Sequence, residues 1–214
     1  MMWPLFGLRL RTPRLELRLP ALHDLEALAD VAADGVHDPA VQPFTVAWTD
    51  VSPEERALST MRYHWTQWGA WQPGAWSLNL VVDAGGTIVG MQGLAARDFA
   101  VLGEVGTGSW LGRPFQGQGI GTEMRSAVLH LAFAGLGAAY ATSGAYLHNA
   151  GSLGVSRKLG YSDDGIERHV VRGAPTVLQR LRLERATWEA ARTAPVDIDG
   201  LQPCLPHFGV TGSS

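Results

Sequence analysis

The residues best suited to chemistry lie in the run Arg113-Pro-Phe-Gln-Gly-Gln-Gly-Ile-Gly-Thr-Glu123. It follows an apolar, strand-like stretch at 105–111 and opens a helical pattern at 122–136. Gly117, Gly119 and Gly121 permit a tight turn and leave main-chain amides uncovered by side chains. Those amides join the unpaired donors at the start of the next helix, where the helix dipole also favours an anion. Such an arrangement makes a cradle for a pyrophosphate. No Lys-Ser/Thr follows the glycines, so the run is not a nucleoside-triphosphate P-loop. Nor does the preceding strand open a Rossmann domain, because about half the chain lies upstream of it.

A second segment, Asn149-Ala-Gly-Ser-Leu-Gly-Val-Ser-Arg-Lys-Leu-Gly-Tyr161, lies past a helix and a strand-like run at 139–147. With the two segments in this order, the sequence resembles the GCN5-related N-acetyltransferase (GNAT) superfamily. The first is similar to its Arg/Gln-x-x-Gly-x-Gly/Ala loop, the second to its Asn-x-x-Ser-x-x-Val-x-x-Lys-Leu-Gly-Phe/Tyr helix. Ser152 and the opening Thr12-Pro-Arg-Leu-Glu-Leu-Arg18 resemble the subgroup of ribosomal-protein N-terminal acetyltransferases. The resemblance spans residues 8–185.

That resemblance implies an acyl-CoA co-substrate, acetyl-CoA by family default, and an amine acceptor attacked directly in a ternary complex. The acceptor would be a protein N-terminus, a lysine or a small amine. It places Gln116, Gly117, Gln118, Gly119, Ile120, Gly121 and Thr122 on the pyrophosphate, the Leu111 backbone along the pantetheine, and Asn149 and Ser152 beside the same arm. Many relatives protonate the leaving thiolate with a tyrosine at the position of Ser156. That tyrosine is missing, and in the resembling subgroup the task falls to Ser152. The subgroup's glutamate base falls on Val171 here, so Glu104, at the start of the 104–111 strand, and His169 stand as alternative bases. The alternatives to acetyl transfer are a succinyltransferase and a non-catalytic acyl-CoA sensor. A succinyl carboxylate, if buried, needs a cationic partner. Arg62, Arg97 and Arg172 are the arginines considered, with Thr107 and Ser109 as weaker partners.

The elements that position these residues read as a mixed α/β sheet with helices on both faces. Residues 8–19 alternate as one strand and 22–36 have helical spacing. Ser52-Pro-Glu-Glu55 is a helix start, with a serine N-cap and proline in the first turn. That helix runs to about residue 72. Strands at 76–82 and 87–95 flank an Asp83-Ala-Gly-Gly86 turn, a hairpin pattern. Later strands fall at 165–171 and 177–183, a last helix at 184–192, and a short strand at 196–198. By resemblance the sheet splays between its fourth and fifth strands, those ending at Leu111 and Leu147, with Gly106 and Gly108 suited to a bulge there. Trp65, Trp68, Trp71 and Trp76 cluster around the second helix as core packing or as an aromatic wall of the acceptor pocket. The loop at 37–49 would lie at the pocket mouth, with Asp38 binding a cationic amine or capping a turn.

Length and composition bound the rest. A chain of 214 residues suits one domain, read as an acyltransferase domain at 1–192 and an extension at 193–214. Leu201, Pro203, Leu205 and Phe208 make that extension apolar, so it is expected to pack on its own domain or on a neighbouring subunit of a homodimer or larger assembly. A net charge of −3 argues against a general nucleic-acid binder. A single cysteine, Cys204, excludes an internal disulfide and a cysteine zinc cluster. Histidines without ligand spacing suggest no metal. The lack of a signal peptide or spanning stretch points to a cytoplasmic enzyme that does not engage membranes.

Overall fold

The computed structural model describes residues 2–192 and 195–210. They form one nine-stranded sheet flanked by helices. In chain order, the elements are β1 (Arg9–Arg11), β2 (Glu16–Arg18), α1 (Leu22–Asp34), α2 (Pro53–Gly69), β3 (Ala75–Asp83) and β4 (Ile88–Arg97). There follow α3 (Phe99–Leu102), β5 (Glu104–Leu111), α4 (Ile120–His130), β6 (Tyr140–Tyr146) and α5 (Ala150–Lys158). The chain closes with β7 (Ser162–Val171), β8 (Ala174–Glu184), α6 (Arg185–Ala191) and β9 (Asp197–Asp199). The strand order is β7-β8-β6-β5-β4-β3-β2-β1-β9, and only β5 and β6 run parallel.

Local chemistry sets the boundaries. Ser52 caps α2 by accepting from the Glu55 amide at 3.3 Å, with Pro53 in the first turn. The single strand expected at 8–19 is instead a hairpin, β1 against β2. Pro13 offers no amide to a ladder, and Thr12 closes the turn with Leu15 through main chain and hydroxyl alike. The early start of β7 goes with a register shift between Asp163 and Ile166, where Gly165 takes φ +88°. α4 passes into a π-helical turn, Leu131–Gly135, which ends the long helical pattern.

Alternation along β3 separates the two faces of the sheet. Leu78, Leu80 and Val82 join the larger core with Met124, Ala127 and Val128 of α4. Val81 packs on the other face, with Leu28 of α1 and Met91 of β4. The face carrying α1 and α2 therefore lies opposite α4.

The β5–β6 ladder is short. It pairs Glu104 with Tyr140, Val105 with Ala141 and Gly106 with Thr142, and then stops. From there the strands part, which opens the notch that the resemblance implied. The bulge expected at Gly106 and Gly108 is absent: β5 keeps an unbroken register on β4 from Gly106 to Leu111.

Residues 195–210 pack on the domain. β9 pairs with β1. Phe208 is fully buried between Trp71 and Trp76, whose indole N–H groups donate to the His207 and Phe208 carbonyls at 2.9 and 3.2 Å. Thr193, Ala194 and residues 211–214 of the extension lie outside the described residues.

Candidate active site

The glycine run forms an open ring of amides at the start of α4. Gly117 and Gly119 sit at φ +73° and +80°, a region side chains disfavour. Among the described residues, no acceptor meets the amides of Gly117, Gln118, Gly119 and Ile120. Four adjacent unpaired donors at a helix N-terminus make an anion site. Gln116 braces the loop: its side-chain amide donates to the Val36 and Leu111 carbonyls at 2.7 and 2.9 Å. The Gln118 side chain turns back to the Pro114 carbonyl, and Ile120 is buried in the core, so these two contribute main chain only.

The opening Thr12-Pro-Arg motif clamps this helix start. Thr12 Oγ1 donates to Glu123 at 2.7 Å, and Arg14 Nε donates to the same carboxylate at 2.6 Å. Burial works to raise the Glu123 pKa, but these hydrogen bonds hold it below the usual carboxylate range. Arg14 Nη1 also reaches the Gln118 carbonyl at 3.2 Å, which places a cation on the cradle's rim.

A cavity of about 1150 Å³ joins the cradle to the notch. Leu111, Gln116, Gly117, Gly119, Gly121, Thr122, Asn149 and Ser152 all line it, as do Glu104 and His169. Asn149 caps α5, its Oδ1 accepting from the Ser152 amide at 3.1 Å. Ser152 uses its amide and carbonyl within the helix, and among the described residues its hydroxyl meets no partner. A free hydroxyl on this wall is available to a ligand.

The candidate bases differ in their surroundings. Glu104 lies 3.7 Å from Arg182 at the closed end of the notch. His169 has both ring nitrogens engaged, Nδ1 with the Tyr146 hydroxyl at 3.2 Å and Nε2 with Glu167 at 3.1 Å. A ring nitrogen faces an acceptor amine only after one of those contacts opens.

Arg125 is the functional candidate that sequence reasoning missed. It enters from α4, on the far face of the sheet, and its guanidinium sits where β5 and β6 part. Nη1 donates to Ser143 of β6 and Ser156 of α5 at 3.2 and 3.0 Å, and Nη2 to Ser109 of β5 at 3.0 Å. The place of the absent tyrosine, Ser156, is thus the seat of this guanidinium. The side chain is almost wholly buried, and among the described residues its Nε has no partner. Burial pushes its pKa down, offset in part by nearby Tyr161.

The other arginines stand elsewhere. Arg62 pairs with Glu55 on the α2 surface, Arg172 pairs with Asp50 at 2.6 Å, and Arg97 lines a separate depression. Asp38 caps a turn through the Ala40 amide at 2.9 Å. None of Trp65, Trp68, Trp71 and Trp76 lines the main cavity; Trp71 and Trp76 hold the C-terminal segment. The aromatic wall comes instead from the 37–49 loop and its support. Phe44 and Trp110 line the cavity, with Trp48 packed between them at 5.3 and 5.5 Å. Lys158 is exposed and lines the cavity rim. Among the described residues, no cluster of His, Cys, Asp or Glu could hold a metal ion, and no helix is long and apolar enough to cross a membrane.

Residues 14–162, more than half the chain, match the family described as acetyltransferase (GNAT) domain, and the chain belongs to that family. It is an acyl-CoA-dependent N-acyltransferase. Solved structures agree in fold. RimJ of Mycobacterium smegmatis in complex with CoA-disulfide is similar, with TM-score 0.71 and 20% identity over 89% of this chain and 92% of that one. A GCN5-related N-acetyltransferase from Brucella melitensis gives 0.67 and 20% over 86% and 81%. RimL, a ribosomal L7/L12 alpha-N-protein acetyltransferase in complex with coenzyme A, gives 0.58 and 18% over 81% and 95%.

Proposed function

We propose that this enzyme moves a short acyl group from acyl-CoA to a primary amine by direct attack in a ternary complex. One observation carries the reading: four adjacent amides at the start of α4 are unpaired among the described residues, and two of their residues, Gly117 and Gly119, line the same cavity as the notch between β5 and β6. The cradle suits the CoA pyrophosphate, and the notch suits the pantetheine and thioester. Acetyl-CoA meets these requirements, as does any short acyl-CoA, since both features read the CoA part.

In the step itself, the amine nitrogen bonds to the thioester carbon as the carbon–sulfur bond breaks. The nitrogen gives up a proton, and the sulfur leaves with the electron pair and takes one up. A donor role for Ser152 toward that sulfur is supported by its hydroxyl, free among the described residues, on the cavity wall. A covalent thiol relay has no support. Cys204 is fully buried within the C-terminal segment, donates to the Gly200 carbonyl, and burial raises its thiol pKa to about 11. Glu104 or His169 would receive the amine's proton. An α-amine titrates near pH 8, so the demand on that base is small.

On the acceptor side, Glu104 and Glu167 share the cavity with Phe44, Tyr63 and Trp110. Acidic and aromatic groups together favour a cationic amine. Likeness to RimL and RimJ makes a protein N-terminus the acceptor class of choice, as in the ribosomal-protein subgroup. Homodimerisation belongs to the same reading. The ten-residue edge strand β7, with Ile166 and Val170 exposed, supports it. The test is calorimetry with free CoA followed by thiol release from acyl-CoA across an amine panel. CoA binding without release in any pairing would favour a sensor over an enzyme.

A further inference from the structure

Resting on the acyl-CoA reading of the cavity, we infer that Arg125 is a specificity-determining residue that receives a carboxylate at the far end of the acyl group. The natural donor is then a short dicarboxylic monothioester of the succinyl-CoA class.

The argument begins with the charge. A guanidinium is always protonated in proteins and has five N–H donors. Three of those on Arg125 are taken by Ser109, Ser143 and Ser156. Among the described residues Nε–H has no acceptor, and Nη2 makes one bond, which leaves its second N–H over. Nε and Nη2 share one edge of the guanidinium, the edge that matches a carboxylate in a two-point contact. Among the described residues, no Asp or Glu pairs with Arg125, whereas Arg14, Arg18 and Arg172 each hold a carboxylate. A buried charge without a counter-ion is costly, and buried charges are as a rule paired. The missing anion is therefore one that no described residue supplies.

The location decides which anion. Ser109 and Ser143 lie just past the point where the β5–β6 ladder stops, on the two sides of the notch. Both line the cavity together with Arg125. The pyrophosphate has its own donors, the amides before α4, so it does not need this cation. The neighbourhood has room: a side-chain carbon at Gly108 would meet nothing within 4 Å. An acetyl methyl would face the guanidinium and leave it unpaired. A succinyl tail would complete it. The transferred carboxylate stays intact through the reaction, so the product carries a negative charge where the acceptor amine had a positive one.

The test is calorimetric and needs no acceptor. The wild-type protein is titrated with succinyl-CoA, with its terminal-amide analogue succinamyl-CoA, with acetyl-CoA and with free CoA. The inference expects succinyl-CoA to bind at least tenfold tighter than succinamyl-CoA or acetyl-CoA. Arg125→Met, checked for folding by circular dichroism, should erase that gap while keeping free-CoA affinity within a few fold. Should that variant fail to fold, the wild-type comparison of carboxylate with amide still decides. Equal binding of succinyl-CoA and succinamyl-CoA overturns the inference, as does a gap that survives in a folded Arg125→Met. CoA binding with no succinyl preference sinks this inference alone, whereas absence of CoA binding sinks the cradle reading as well.

Discussion

His64 gives a stability prediction with a worked magnitude. It lies in α2, fully buried, and among the described residues neither ring nitrogen has a hydrogen-bond partner. Its neighbours are the rings of Tyr63 and Trp68. Burial lowers its pKa from 6.5 to about 4, so the folded protein keeps it neutral where the unfolded chain would protonate it. Between those values the unfolded state binds more protons, and stability rises with pH. The contribution is fully present above about pH 6.5 and is lost as pH falls towards 4. At 1.36 kcal/mol per pK unit, the loss is about 2 kcal/mol by pH 5 and about 3 kcal/mol at its limit. His64→Leu removes the titration and the two unpartnered nitrogens. Urea unfolding of both proteins at pH 7.5, 6 and 5 checks this. The variant should be at least as stable at pH 7.5, and its advantage should widen by about 2 kcal/mol at pH 5. A difference that stays constant across the three pH values would refute the reasoning. Tyr63, one residue away, lines the cavity and donates to Asn79 at 3.4 Å.

Three further outcomes follow from named contacts. Gly121→Glu places a carboxylate at the cradle without backbone strain, because Gly121 has no positive φ and its nearest side chain would be 3.6 Å away. Calorimetry should show CoA affinity reduced more than 100-fold in a folded protein, on the order expected for like charges at one anion site. Ser152→Ala should lower kcat about 10- to 1000-fold with acyl-CoA affinity little changed; rate and affinity both within twofold would make the serine structural. Phe208→Ala should cost about 3–5 kcal/mol of stability, as for a large buried aromatic, read as a lowered Tm; a shift under 2 °C would mean the C-terminal segment is not part of the folded core.

Much of the fold was legible because its signals are local. Gly117, Gly119 and Gly121 announced an amide cradle by spacing alone. Ser52-Pro53 announced a helix start, and Asp83-Ala-Gly-Gly86 announced the β3–β4 hairpin, which the ladder contains. The misreadings were of other kinds. Alternation at 8–19 concealed a Pro13 turn, because both arms of the hairpin keep the same period. Trp71 and Trp76 read as core packing or as a pocket wall, and they are core; nothing local says that a segment more than a hundred residues later will cover them. Arg125 was invisible for the same reason. In the sequence it is a charged residue on an amphipathic helix, next to the buried Met124. Its meaning comes from Ser109, Ser143 and Ser156, three small hydroxyls on three different elements that only the topology brings together. The absence of the usual tyrosine at Ser156 was the one trace of it.

The central claim, acyl transfer from CoA to an amine, is tested most directly by a paired product measurement. The enzyme is incubated with acyl-CoA and an N-terminal peptide or small amine. Free thiol and amide product are then quantified together, by a thiol-reactive dye and by mass spectrometry. The account predicts equal amounts of both, dependent on acceptor and abolished by Gly121→Glu. Thiol release without an amide, or tight CoA binding with neither product across a broad amine panel, would contradict it.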